Sequence, residues 1–316
     1  MARTPLSGTQ HLLRAGDAEA VIAGVGASLR TYTHRGRDLV VPFDADEVRP
    51  GYRGATLAPW PNRVVDGVYV FDGVEHDLAL TEPKRGHALH GLLPWTEYAA
   101  IDKGPSHVTL SAVVEPQTGY PWRVAVETTY ALTAEGLHQT VTARNESETA
   151  APWGTGPHPY LRAGAGHVDD WTLHLPAATV LEVTPDRLAP TGLASVEVDA
   201  ARFDYRAARP IGSAEIDHAY TDLARDAGGL VTVTVTGAAG LGAAISWDAT
   251  CAWVQVHTAD RPDGAASPAH RIGLAVEPMT CAPDAFNDAR YPFDTGLLVL
   301  EPGAAHTAGW TISPIG

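Results

Sequence analysis

Acid–base chemistry needs a proton donor and a proton acceptor held still, and two segments of this 316-residue chain offer them. In Gly154-Thr155-Gly156-Pro157-His158-Pro159-Tyr160 a histidine stands between two prolines after a Gly-rich turn. Proline fixes its own φ and restricts the residue before it, so His158 sits on a constrained backbone. Its side chain is also the one that titrates nearest neutrality. In Ile272-Gly273-Leu274-Ala275-Val276-Glu277-Pro278-Met279-Thr280 an apolar strand delivers a carboxylate, and proline stops the ladder behind it. Burial of such a carboxylate raises its pKa and makes it a better base. The plainer alternatives are a loop histidine without a role and a strand-end glutamate facing water.

Three further segments carry polar groups on rigid or turned backbone. Ala58-Pro59-Trp60-Pro61-Asn62-Arg63 presents Asn62 and Arg63 behind two prolines. Arginine is an always-charged fork suited to hydroxyls and developing oxyanions, and it is equally common as a bystander at a surface turn. His87-Ala88-Leu89-His90-Gly91 has metal-ligand spacing but neither HExxH nor an implied third ligand. His90 is therefore read as a hydrogen-bonding histidine, with a purely structural role as the alternative. Glu215-Ile216-Asp217-His218 supplies Asp217, which could accept hydrogen bonds from vicinal hydroxyls or simply be solvated.

The elements that must position these groups read as β. Val231 to Thr236 alternates Val and Thr, and His107 to Val114, Val124 to Leu132, Leu137 to Ala143, Trp253 to His257 and Leu297 to Leu300 are further strand-length runs. Asp66-Gly67 and Asp72-Gly73 are type I′ turn signals, which predict a tight meander over 62–80. Pro283-Asp284-Ala285-Phe286 is the one helical turn expected. With 31 glycines and 24 prolines as punctuation, the expectation is an all-β chain with few short helices. No repeat or long linker divides it, so residues 1–316 are expected to form one domain of sheet packed on sheet.

Bulk composition narrows the class. Hydrophobic residues at 45% and charged residues at 19% describe a globular chain. A net charge of −15 argues against nucleic acid and anionic membrane as partners. Cys251 and Cys281 are too few for a disulfide framework, which fits a cytoplasmic protein. The N-terminus Met-Ala-Arg-Thr-Pro-Leu-Ser-Gly lacks the apolar core of a signal peptide. Lys and Arg total 22 against 37 Asp and Glu, with no basic cluster beside the motifs. An unphosphorylated ligand is the expectation.

At these residues the chain resembles the aldose 1-epimerase (galactose mutarotase) family. The resemblance runs from Asn62-Arg63 through Val68-Tyr69-Val70-Phe71-Asp72-Gly73, His87-Ala88-Leu89-His90-Gly91, Gly156-Pro157-His158-Pro159-Tyr160 and Ile216-Asp217-His218. It continues through Glu277-Pro278-Met279-Thr280 and Ala282 to Asn287, and ends at Leu298-Val299-Leu300-Glu301-Pro302-Gly303 with Trp310. Each motif is weak alone; their order and spacing together are strong. The resemblance implies a galactose mutarotase-like β-supersandwich, a monosaccharide substrate, and no cofactor or metal. It implies Glu277 as catalytic base, His158 as catalytic acid, and Arg63, His90 and Asp217 as substrate-binding residues with Asn62 beside them. This chain departs from the family with His257-Thr258 where Tyr-Thr is frequent, and with His-Pro-Tyr where galactose enzymes have His-Ser-Tyr.

The implied reaction is exchange of α and β anomers of a free aldohexose. The C1 hydroxyl loses a proton, the ring oxygen gains one, the ring opens, the aldehyde turns, and the ring recloses. A carboxylate beside His158 is expected to favour the charged imidazole. The alternatives are a hexose-6-phosphate 1-epimerase, a non-catalytic sugar sensor on the same scaffold, and a glycosidase, which needs two flanking carboxylates.

Overall fold

The computed structural model describes residues 3–316; Met1 and Ala2, the start of the N-terminal segment considered above, lie outside the described residues. Strands account for 46% of the chain and helix for 7%, as the alternating runs predict. Among the described residues no helix is long and apolar enough to cross a membrane.

The largest sheet has nine antiparallel strands. In spatial order these are Ala99–Lys103, His107–Val114, Val124–Leu132, Leu137–Asn145, Ala305–Ile315, Gly242–Trp247, Val231–Thr236, Thr172–His174 and Arg209–Pro210. Every second residue of Val124–Leu132 and Leu137–Asn145 is buried, so one face of this sheet meets the core. A second sheet has six strands: Tyr160–Leu161, Leu274–Met279, Trp253–His257, Asp217–Leu223, Ala177–Val183 and Pro190–Ser195. Val126, Val141 and Ile245 of the first sheet share one apolar cluster with Val254, Val256 and Val276 of the second. Each such side chain contributes roughly 1.5–3 kcal/mol by leaving water.

That packing decides which side of the six-stranded sheet is free for chemistry. Side chains alternate along a strand. With Val254, Val256, Leu274 and Val276 in the core cluster, Gln255, His257, Ala275 and Glu277 point to the opposite face.

One expectation fails. Asp72-Gly73 does close a hairpin, with Phe71 opposite Val74 and positive φ at both turn residues. Asp66-Gly67 also turns with positive φ, yet the strand before it, Arg63–Val65, pairs with His87–Leu89 instead of with Val68–Phe71. The reason lies across the molecule. The Asp284 N–H donates to Arg63 O at 2.7 Å, and Asp284 Oδ1 accepts from Val65 N at 2.7 Å, which occupies that strand's other edge. Asp284 Oδ1 also accepts from Asn287 Nδ2, and its Oδ2 from the Tyr291 hydroxyl. The helical turn expected at 283–286 appears as a 3-10 helix, Ala285–Arg290.

Asp284 is almost fully buried, so its deletion leaves several polar groups unpaired. Asp284→Ala is expected to lower stability by about 3 kcal/mol, the cost of breaking a buried polar network. Urea unfolding should show this as a lower midpoint at unchanged m; a midpoint equal to the parent's would show that Asp284 does not hold the 63–65 strand.

Candidate active site

Glu277 is reached through register. It lies opposite Gln255, and His257 lies opposite Asp217, so Glu277, Gln255, His257 and Asp217 share the face turned away from the core. Gln255 Nε2 donates to Asp217 Oδ1 at 2.7 Å along the diagonal between adjacent rows. His257 Nδ1 lies 3.9 Å from the same carboxylate oxygen.

His158 comes to Glu277 because its segment switches partners. Gly156-Pro157 pairs with Thr56–Leu57, whereas Tyr160–Leu161 pairs with Leu274–Met279. At the crossover the His158 N–H donates to Ala55 O at 3.0 Å and its carbonyl accepts from Gly54 N at 2.8 Å. The imidazole Nε2 ends 3.4 Å from Glu277 Oε1. Its ring stacks on Tyr160 at 5.1 Å between centroids and meets His90 edge-on at 5.1 Å.

The third wall is built on strained backbone. Asn62 and His90 both have positive φ, 54° and 64°, which non-glycine residues seldom adopt. The His90 N–H donates to Asn62 O at 2.7 Å and ties the two together. Gly91 follows, and a Cβ there would stand 2.1 Å from Ala58 O, so only glycine permits this approach. Arg63 is gripped by Glu82, Nε to Oε2 at 2.7 Å and Nη2 to Oε1 at 3.1 Å, and its Nη1 donates to Asn62 Oδ1 at 3.3 Å. Its free N–H groups can still reach a ligand. Tyr52 packs edge-on against His90 at 4.6 Å.

Asn62, Arg63, His90, His158, Asp217 and Glu277 all line a single open cavity of about 970 Å³. Gln255, His257, Tyr52 and Tyr160 line it too, and sequence reasoning assigned them no role. Cross-strand register identifies Gln255 and His257; nothing local to the sequence does. Glu82, which orients Arg63, was missed for the same reason. His87 is absent from the lining: its Nδ1 accepts from Asp66 N and its Nε2 donates to Arg187 O.

The electrostatics correct a second expectation. His158, expected to be charged beside a carboxylate, is pushed down to about 3. Burial is the main cause and His257 adds to it, while a backbone hydrogen bond and Asp217 offset them only in part. Burial pushes Glu277 well above the usual carboxylate range, the Asp217 charge pushes it further, and Arg63 pulls back. His90 is driven well below its ordinary value by burial and by His158, Arg63 and Arg49, so it is neutral. Asp217 stays ionised: burial works to raise it, but His257, Arg63 and the Gln255 hydrogen bond outweigh burial. The His158–Glu277 pair thus favours its neutral forms, one proton in all, and titrates as a unit.

A third expectation fails at the rim. Lys84, Arg85 and Arg261 all line the cavity; Lys84-Arg85 stands just before the His87–His90 segment in sequence, and Arg261 comes from a distant loop. They arrive from two loops some 175 residues apart that only the fold brings to one opening.

Fold and site together define an all-β protein with a buried imidazole–carboxylate pair in an open, polar-walled cavity. The chain belongs to the aldose 1-epimerase family, whose model matches residues 9–313. The uncharacterized protein YihR of Escherichia coli (strain K12) is 35% identical over 301 residues, covering 95% of this chain and 91% of that one. Among solved structures, the GalM/aldose epimerase homologue of C. elegans superposes with a TM-score of 0.80 at 20% identity, over 98% of this chain and 100% of that one. Galactose 1-epimerase of Lactobacillus acidophilus NCFM does so with 0.77 at 16% identity, over 97% and 95%. The fold is that of the galactose mutarotase-like proteins.

The buried carboxyl generates a stability prediction. Unfolded, Glu277 ionises near pH 4.3; folded, it resists ionisation, so its raised pKa stabilises at low pH and that stability is lost as pH rises. Glutamine carries no such penalty. Glu277→Gln is expected to raise the thermal midpoint at pH 8 by roughly 1–2 °C, the shift for about 1 kcal/mol in a chain this size. The gain should shrink toward pH 4. A variant less stable than the parent at pH 8 would contradict it.

Proposed function

We propose that the protein is an aldose 1-epimerase that interconverts the α and β anomers of an aldohexose through acid–base ring opening. The observation that carries this proposal is the imidazole–carboxylate pair, His158 Nε2 3.4 Å from Glu277 Oε1, in a cavity whose lining residues keep buried polar atoms without a hydrogen-bond partner among the described residues: Glu277 Oε2, His158 Nδ1, His90 Nδ1 and His257 Nδ1. Unpaired buried groups are costly, and a polyhydroxylated ligand would satisfy them.

In the proposed mechanism Glu277 takes the proton of the C1 hydroxyl and His158 gives one to the ring oxygen. The C1–O5 bond breaks as the C1 carbonyl forms. Arg63 and neutral His90 donate to oxygens that gain charge during opening. Asp217, fixed by Gln255, holds hydroxyls so that only the aldehyde turns. Reclosure on the other face reverses both transfers and restores the pair.

Burial fits this cycle. While the ring is open, Glu277 is protonated and His158 neutral, which is the state their low-polarity surroundings favour. The closed ring meets the charged tautomer, which carries the same single proton. Free reference values of about 4.3 and 6.5 would leave only a narrow active window. With His158 lowered and Glu277 raised, the one-proton state spans a wider range.

Mutarotation of fresh α-anomers, followed by polarimetry or NMR, tests the proposal. Glu277→Gln and His158→Asn should each lose about 10³-fold, within the range for one proton transfer, with sugar binding retained. The double variant should lose little more than either single one, because both transfers belong to one event. The parent's kcat/KM should be bell-shaped in pH with a plateau wider than two pH units, roughly the gap between the free values. Independent, additive penalties would show that the two residues do not act as a pair.

A further inference from the structure

We infer that the aldohexose taken by this site carries an anionic group at C6, and that Arg261 is its counter-ion. The inference rests on the reaction proposed above, which puts the ring oxygen at His158. C5 is bonded to that oxygen and C6 to C5, so C6 leaves the ring on the His158 side, away from the C1 hydroxyl at Glu277. From His158 the wall continues to Tyr160, whose ring stacks on the imidazole. His257 stands 6.5 Å from Tyr160 between ring centroids, with only the small Ala275 between them in the strand register.

Arg261 overhangs this end. Its Nη2 lies 3.7 Å, and the Tyr160 hydroxyl 3.2 Å, from the point where a side chain on Gly51 would begin. Gly51, with φ of 52°, has none, and the space stays open to the cavity. The Arg261 Nε is buried without a hydrogen-bond partner, and among the described residues its guanidinium has no carboxylate partner. The other cavity cations differ: Arg63 and Arg85 are both paired with Glu82, and Lys84 is exposed.

The local carboxylate that could have neutralised Arg261 is engaged elsewhere. Asp260 binds Arg271 at 2.7 Å and accepts from the Thr258 hydroxyl. Arg271 is further tied to Asp169 at 2.5 Å, to Gly212 O at 2.6 Å and to Ala214 O at 3.1 Å, which anchors the 258–273 loop to its surroundings. The Arg261 N–H donates to His270 Nδ1 at 3.0 Å and fixes the backbone there. Arg53 stands behind Tyr160, its guanidinium 5.9 Å from the ring, and adds positive potential to the same end. A guanidinium kept half-buried, positioned and unpaired beside a second one is the arrangement that binds an oxyanion.

The test compares kcat/KM for anomer exchange of glucose, glucuronate, glucose carrying a 6-sulfonate, and glucose 6-phosphate, using the intact protein. At least one of the anionic sugars should exceed glucose by about tenfold or more, the value of one charge-assisted contact. Arg261→Gln should collapse that ratio by about tenfold, Arg261→Lys should keep part of it, and added salt should shrink it. Glucose handled as well as every anion, or a ratio untouched in Arg261→Gln, would overturn the inference while leaving the mutarotase proposal standing. If no sugar is turned over, the mutarotase proposal fails, and calorimetry with the same sugars decides the rest. Arg261-dependent binding of an anionic sugar would uphold the anion site, and equal or absent binding would overturn it.

Discussion

Placing a carboxyl group where it is almost wholly shielded from water is the constraint around which this molecule is arranged. Glu277 is 1% exposed, on a strand whose every residue is buried. A carboxylate there would be untenable alone. The surrounding groups make it tenable: His158 at 3.4 Å shares its proton, and Arg63 supplies compensating charge. Arg63 in turn needs Glu82 to hold its fork in plane, and Asp217 needs Gln255. Remove any of these partners and a buried charge or dipole is left unbalanced, which explains why the site is a network instead of two catalytic residues.

The scaffold serves that network by separating its two tasks. One face of the six-stranded sheet shares the apolar cluster with the nine-stranded sheet, and this packing fixes register. The alternate residues of the same strands then have no freedom of direction. Gln255 must lie between Val254 and Val256, and Glu277 must lie beside Gln255. A slip of one residue would exchange core and site altogether. Stability and function are thus written on opposite faces of the same strands.

The loops add what the sheet cannot. Positive φ at Asn62, His90 and Tyr52 turns side chains inward at the ends of short segments, and the tight approach of Gly91 to Ala58 locks two of those segments together. The 258–273 loop, held by Arg271, brings Arg261 over the opening. Rigid strands position the proton-transfer pair, and anchored loops define what else a ligand must carry.

By itself the sequence determined a good deal. Alternation of Val and Thr, the Asp-Gly turns and the density of Gly and Pro are local signals, and they specified strands, turns and an all-β class. His158 and Glu277 were legible because proline and an apolar run mark them within a few residues. Only the tertiary structure decided the rest, because the deciding interactions span long separations. Arg63–Val65 chose His87–Leu89 over its neighbour in sequence because Asp284 takes its other edge. Gln255, Glu82 and Arg261 became site residues through cross-strand register and loop anchoring, for which no local pattern exists. The protonation of His158 was decided there as well: a neighbouring carboxylate argues for charge, but burial of both partners costs more than their attraction returns.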